Sequence, residues 1–361
     1  MYMSSLNHNI SIRLESLDIL RGLTIAGMIL VNNPGNWQNT WPILNHAQWD
    51  GLTLADLVFP FFLVVMGIST ALSVNNQMDK GKSKSEILQK AIIRTLKMFG
   101  IGLFLNLLWD YHWESFRIPG VLQRIAITYL FCVVAFLYLQ PGIWMAYLVF
   151  STLLALYLLK WFPPESGPGW YGLVDQYLFG KHVYQPTAPM DAEGLMSGFT
   201  AFQSGIFGMV AGIGLLGLAR INPWNQAITI FLIGLLIHIF LLPINKLLWT
   251  PSFALVTSGM ALFLLQIFMV LEQNPVFQLI AEPFRRVGKN AILIYTSSEI
   301  LEHIWIGHWF KSFAPRNIFR DFLDHISPFL YFNSLLWSLV LVSFFLSIGW
   351  ILYKKKLFVK L

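Results

Sequence analysis

Residues 52–74 read LTLADLVFPFFLVVMGISTALSV, with one charged side chain, Asp56, about one turn from the start. A helix needs about 20 mostly apolar residues, within a range of roughly 17–25, to cross the hydrocarbon core of a bilayer. The stretch therefore reads as a membrane span. The same ruler, moved outward, finds further candidates near 17–33, 90–109, 120–139, 142–160, 198–219, 225–243, 252–271, 289–310 and 329–353. The prediction is an all-α polytopic membrane protein, residues 1–361 forming one domain with about ten transmembrane helices. The first span is the weakest, because Asp18 and Arg21 sit in its opening turns. No small-residue cleavage site follows it, so it reads as a retained span and not as a signal peptide.

Composition supports this. Of 361 residues, 56% are hydrophobic and 12% charged, against roughly 25% charged in an average soluble domain. A soluble globular protein, a disordered chain and a nucleic-acid binder are excluded. The single cysteine, Cys132, lies in an apolar run and excludes a disulfide framework or a cysteine-rich metal site. The net charge of +6 sorts by side. With ten spans and a cytoplasmic N-terminus, the inner segments collect Arg13, Arg21, Lys80, Lys82, Lys84, Lys90, Arg94, Lys97, Arg220, Arg285, Arg286, Lys289, Lys354, Lys355, Lys356 and Lys360. These are 16 of the 24 basic residues, which predicts that both termini are cytoplasmic. Tryptophans cluster near predicted span ends, as an interfacial belt would place them. One long loop, 161–197, falls outside. Gly205, Gly208, Gly212 and Gly217 give the sixth span a small-residue face for close helix packing.

Ionisable groups inside spans are costly and by default mark a pathway or site. The densest polar region runs through Asn32-Asn33-Pro34-Gly35 and Asn45-His46-Ala47-Gln48-Trp49-Asp50 to Asp56, at the outer end of the first two spans. His46 is the natural acid/base candidate, since imidazole titrates near neutrality. Asp56, ten residues on, could fold back to orient it. The alternative is a loop histidine, with Asp56 only a helix N-terminal charge. A second polar set, Asp18 with Arg21, the basic stretch 80–97, and Arg285, Arg286 and Lys289, is cytoplasmic. It could grip a phosphorylated ligand or serve lipid contact and orientation. Asp18 and Arg21, at i and i+3, could equally be a structural ion pair. Arg117 to Arg124 opens the fourth span. In the ninth, Asn290 is followed by Glu299, Glu302 and His303 on one face, too few for a metal site to be expected. His238 reads as a hydrogen-bonded interior histidine.

Leu17-Asp18-Ile19-Leu20-Arg21-Gly22, Val31-Asn32 and the long run from His46-Ala47-Gln48-Trp49-Asp50-Gly51 to Asp56-Leu57-Val58-Phe59-Pro60 closely resemble the transmembrane heparan-α-glucosaminide N-acetyltransferase family. Its bacterial relatives include proteins labelled as N-acetylglucosamine transporters. The resemblance continues through Arg117–Arg124, Asp191–Leu195, Asn245–Trp249 and Lys289–Tyr295. It implies acetyl transfer from cytosolic acetyl-CoA to the amine of a terminal glucosamine across the membrane. The family's active-site histidine falls on His46, an asparagine near the acetyl group on Asn32, and an acidic residue on Asp56. Two departures from the lysosomal enzyme are expected: no luminal N-terminal domain with its additional span, and a longer loop between Asn32 and His46. With no organellar signal read in the sequence, the expected compartment is a bacterial inner (plasma) membrane.

The chemistry matches the residue types. His46 could act as general base toward the amine or accept the acetyl group itself. Asn32 could donate to the developing oxyanion, and Asp56 could hold the imidazole tautomer. Arg21, Arg124, Lys289 and Asn290 are the candidates for holding CoA, although Arg124 falls nearer the outer side. The expected partners are acetyl-CoA, an amino sugar or glucosaminide, and membrane lipid, with a second copy of the chain as an option; no nucleic acid and no metal are expected. The competing reading is a permease for N-acetylglucosamine or a related sugar. The inverted repeats typical of many transporters are not evident in the sequence.

Overall fold

In the computed structural model the described residues are 14–109, 112–162, 169–184, 190–306 and 314–359. Arg13, Lys311, Lys360, residues 307–310 of the ninth expected span, and parts of the 161–197 loop lie outside them. The described residues form thirteen α-helices and no strand. Eight of these are long and apolar enough to cross a membrane: α2 (Leu54–Asp79), α3 (Lys84–Trp109), α4 (Val121–Tyr138), α5 (Pro141–Trp161), α7 (Leu195–Leu215), α8 (Pro223–Phe240), α9 (Pro251–Leu271) and α13 (Leu330–Lys354). The protein is a polytopic membrane protein. The other two expected spans are helices where the sequence puts them, α1 (Glu15–Asn32) and α11 (Ala291–Trp305). They differ for physical reasons. α1 carries Glu15, Asp18 and Arg21 and is mostly buried among its neighbours, while α11 is only 15 residues long.

Three helices were not expected: α6 (Gly169–Phe179), inside the long loop, α10 (Pro275–Gly288) and α12 (Pro315–Ile326). The last two carry polar and charged faces that hide them from a search for apolar runs.

Helices pair α8 on α9, α2 on α7, α1 on α10 and α3 on α4. Two of these contacts are backbone-close because glycine permits it. A Cβ on Gly67 would lie 2.1 Å from the Gly205 carbonyl oxygen, and one on Gly208 would lie 2.1 Å from that of Val64. The small-residue face of α7 thus packs on α2, as small residues do between membrane helices. Gly217 is different: it ends the helix in a left-handed turn at φ +71°. At the α1–α10 crossing, Gly288 lies against the Asp18 carbonyl oxygen, which a Cβ would approach to 1.9 Å.

Alternation of chain direction puts the start of α2, the end of α3 and the start of α4 at one end of the bundle. At the opposite end, Glu15 pairs with Arg285. The C-terminal stretch is held there too, with Asn290 Nδ2 donating to the Leu357 carbonyl at 3.1 Å and the Val359 N–H donating to Asn290 Oδ1 at 2.9 Å. Both described chain ends therefore share one side of the molecule.

Candidate functional site

The site begins at the N-terminus of α2. Thr53 sits just before the helix, and Asp56, three residues on, bends back: its Oδ2 accepts from the Thr53 N–H at 3.1 Å and the Thr53 hydroxyl at 3.0 Å. That is the reciprocal cap expected of Thr-x-x-Asp ahead of an apolar run. The Ala47 N–H adds a third bond to the same oxygen at 3.1 Å. The other oxygen, Oδ1, lies 2.9 Å from His46 Nδ1. The two functions considered for Asp56, helix cap and histidine partner, are both present, one on each oxygen.

The carboxylate is fully buried, whereas the His46 side chain is 45% exposed. An ionised carboxylate only accepts, so in the tautomer that donates to Asp56 neutral His46 carries its proton on Nδ1 and presents Nε2 as the basic atom. The imidazole is held from behind and open in front.

Sequence reasoning missed Lys246 as a site residue. Its Nζ lies 2.9 Å from His46 Nδ1, 3.2 Å from Nε2 and 3.5 Å from Asp56 Oδ1. The turn before α9 delivers it, clamped to the His46 loop: the Gly51 N–H donates to the Ile244 carbonyl at 2.8 Å, and Asn245 Nδ2 donates to Asp50 Oδ1 at 3.1 Å. Trp249 closes this turn with φ +48° and is buried edge-on against Phe59. Burial lowers the pKa of Lys246, with Asp56 and Glu193 pulling the other way. The only sequence signal for Lys246 was its place in the Asn245–Trp249 block, without spacing to tie it to His46.

Behind Lys246 lies a network of alternating charge. Arg117 Nε donates to Asp191 Oδ2 at 2.8 Å, and its Nη2 reaches both Asp191 and Glu193. Burial opposes the charge on Arg117, yet Glu193 and Asp191 outweigh it and raise the Arg117 pKa. Against burial, Arg117 and Arg124 hold the Glu193 carboxyl below the usual range. Arg124 donates to the Gly194 carbonyl at 3.0 Å and to Ser197 Oγ at 2.5 Å, and its guanidinium lies 5.1 Å from the Trp249 ring centroid. Asp175 accepts the Leu195 N–H at 2.8 Å at the start of α7, and burial pushes its pKa up to about 6.

The remaining sequence candidates separate. Asn32 closes α1, which packs on α11, the helix that carries Tyr295 and Glu299. Arg124 lies at the His46 end of the bundle, as its position near the outer side suggested. Arg21 lies toward the other end: its guanidinium donates to Asp18 at 2.8 Å, to the Gly288 carbonyl at 3.3 Å and to Ser69 at 2.5 Å. Ser69 is 13 residues along α2 from Asp56, about 20 Å at 1.5 Å per residue. Lys289, at the end of α10, packs its ammonium 4.6 Å from the Tyr353 ring centroid. Its neighbour Asn290 holds the C-terminal stretch. His238 Nδ1 accepts from the Ile244 N–H at 3.0 Å, an interior hydrogen bond as the sequence suggested. Among the described residues no cluster of three or more His, Cys, Asp or Glu side chains comes together.

A helical membrane bundle with a capped carboxylate, an open imidazole and a half-buried cation at one end is an integral-membrane protein with a polar cluster at that end. The heparan-alpha-glucosaminide N-acetyltransferase catalytic-domain model matches residues 13–191. Heparan-alpha-glucosaminide N-acetyltransferase of Mus musculus is 29% identical over an alignment covering 97% of this chain and 60% of the relative. That of Homo sapiens is 28% identical with the same coverage. Over most of its length the chain is thus similar to heparan-alpha-glucosaminide N-acetyltransferases. It spans about 60% of the length of these relatives.

Proposed function

We propose that the protein is a transmembrane acetyltransferase that moves an acetyl group from acetyl-CoA to the amine of a glucosamine-type sugar on the outer side of a bacterial inner membrane. The observation that carries this reading is the His46–Asp56 pair at 2.9 Å, buried on the carboxylate side and open on the imidazole side. Similarity to the heparan-alpha-glucosaminide N-acetyltransferases points to the reaction class, and the geometry supports the roles.

His46 Nε2 is the reactive atom. As a base it takes a proton from the attacking amine, and later returns one to the departing thiolate. As a nucleophile it takes the acetyl group itself and passes it on to the amine, the thiolate leaving with a proton. Asp56 serves either route by fixing the tautomer and balancing the positive charge that develops on the ring. Lys246, beside Nε2, is the cation placed to meet negative charge on the carbonyl oxygen. Asn32, the sequence candidate for that role, closes α1 where that helix packs on α11 and remains a second candidate.

The donor's phosphates would meet the basic end of the bundle. Lys289 and Asn290 remain candidates there with Arg21, whose donors already serve Asp18, Ser69 and Gly288. The deciding experiment is acetyl transfer by purified protein from acetyl-CoA to glucosamine. Turnover that His46→Ala abolishes in folded protein is expected. Saturable sugar uptake into proteoliposomes without acetyl-CoA, and no transfer, would make it a permease instead.

A further inference from the structure

Helix α3 carries basic side chains deeper into the bilayer than orientation alone requires. Its last twelve residues, Met98–Trp109, are uncharged, but they rise only about 18 Å at 1.5 Å per residue. A hydrocarbon core of about 30 Å takes about 20 residues. A crossing that ends at Trp109 therefore begins near Lys90 and takes in Arg94 and Lys97. These three, at i, i+4 and i+7, share one face of the helix. Lys90 and Lys97 are exposed and Arg94 is half-buried. The adjoining face is apolar and exposed as well, through Ile93, Leu96 and Phe104, so this side of α3 looks onto lipid.

The two helices that frame the stripe supply no counter-charge. Glu86 is the one acidic residue of α3, and it is engaged at the helix start, where its carboxylate accepts from the Ser83 N–H at 3.1 Å. α4, which packs on α3, has no acidic residue. Arg94 meets α4 through Tyr129, its guanidinium 4.8 Å from the ring centroid. Its Nε is buried and has no hydrogen-bond partner among the described residues. Cations at this depth are costly unless their heads reach the phosphate level. The direction of the helix allows that, because side chains tilt toward a helix N-terminus, and α3 starts on the side of the Glu15–Arg285 pair.

We infer that the inner half of α3, beside α4, is a site for an anionic phospholipid. Lys90, Arg94 and Lys97 hold the headgroup phosphate, and the acyl chains lie along Ile93, Leu96 and Phe104. Basic recesses between membrane helices on the cytoplasmic side favour such headgroups. A soluble phosphate fits less well: Leu96, 65% exposed beside Lys97, calls for a ligand with an apolar part. The inference does not depend on the proposed acetyl transfer.

Thermal unfolding of the full chain in a neutral detergent tests it, with dioleoyl phosphatidylglycerol, dioleoyl phosphatidylcholine or free CoA added. Phosphatidylglycerol is expected to raise the unfolding temperature well above phosphatidylcholine, as a ligand of the folded state does. The double variant Lys90→Gln/Lys97→Gln should unfold near wild type without lipid and lose most of the difference between the two lipids. Lys354→Gln/Lys355→Gln, which removes two charges from the basic C-terminal stretch, should keep it. Equal stabilisation by both lipids overturns the inference, as does an equal loss in the two double variants, which would mean bulk charge alone. Stabilisation by CoA that disappears with Lys90 and Lys97 would make the stripe a site for soluble phosphates and overturn it too. If the double variant does not fold, Lys97→Gln alone carries the comparison.

Discussion

Asn245 and Asp50 stand 195 residues apart in the chain, yet the Asn245 amide donates to the Asp50 carboxylate at 3.1 Å. The bond joins the turn that carries Lys246 to the loop that carries His46. Asn245 is fully buried, and its Oδ1 also accepts from the Leu248 N–H at 3.0 Å, so the same side chain shapes the turn and docks it. Removing a buried amide that makes two such bonds costs roughly 1–3 kcal/mol for each group left unsatisfied. Asn245→Ala is expected to lower the unfolding temperature and to reduce kcat, because Lys246 loses its fixed distance to the imidazole. Thermal unfolding and turnover of the same preparation check it; lowered stability with undiminished kcat would separate the clamp from the chemistry.

The His46–Asp56 pair predicts a graded series. His46→Ala removes the reactive nitrogen, and a loss of roughly 10²–10⁴-fold in kcat is expected for a missing acid/base group. Asp56→Asn keeps the shape but can donate where the carboxylate only accepted, so the histidine can settle in the wrong tautomer. It should lose nearly as much activity and also some stability, because Thr53 and Ala47 donate to the same group. A fully active Asp56→Asn would remove the orienting role.

Lys246 separates charge from shape. Its ammonium lies 3.2 Å from His46 Nε2 and 3.5 Å from Asp56 Oδ1, where it can meet negative charge that develops on the carbonyl oxygen. Lys246→Met keeps the length and loses the charge, and a fall in kcat of roughly 10²–10³-fold is expected. Lys246→Arg keeps the charge and should keep most of the activity. If the Met and Arg variants share one kcat, the ammonium has no electrostatic part in the reaction.

The separation along the chain explains what could be read beforehand and what could not. Apolar run length located the spans, because membrane thickness sets it directly. His46 and Asp56 were legible because ten residues, with Thr53 and a helix start between them, leave little freedom. Lys246 lies 200 residues from His46, and Arg117 lies 74 from Asp191. Such contacts depend on how helices pack, which no local period records. Glu299 and Asn32 were visible as polar residues within spans, but only the packing of α1 on α11 brings their helices together. The helices α10 and α12 went unread because each is amphipathic, with polar faces that interrupt any apolar window.

Close packing of α2 on α7 makes a clean stability test. A Cβ on Gly208 meets the backbone of Val64 at 2.1 Å, where no side chain can rotate away. The helices would have to part, and overpacking of this kind typically costs about 1–3 kcal/mol. Gly208→Ala should therefore lower the unfolding temperature and the yield of folded protein, although alanine is the better helix former. Gly142→Ala, where a Cβ meets nothing within 4 Å, is the matched control and should be neutral or slightly stabilising. Equal behaviour of the two variants would contradict the contact.

Asp175 supplies a pH test of the loop that backs the site. Burial raises its pKa to about 6 in the folded protein, whereas an unfolded chain releases the same proton near pH 4. Between those values the folded state holds the proton and the unfolded state does not, so stability falls as pH rises. The contribution is fully present below about pH 4 and is lost as pH passes through about 6. Asparagine mimics the protonated form and can still accept the Leu195 N–H. Asp175→Asn should thus unfold with a flatter pH dependence between about pH 4 and 7, and should be the more stable of the two proteins at pH 7. Thermal unfolding across that window decides it: parallel curves for the two proteins would show that Asp175 titrates as an ordinary solvated carboxylate.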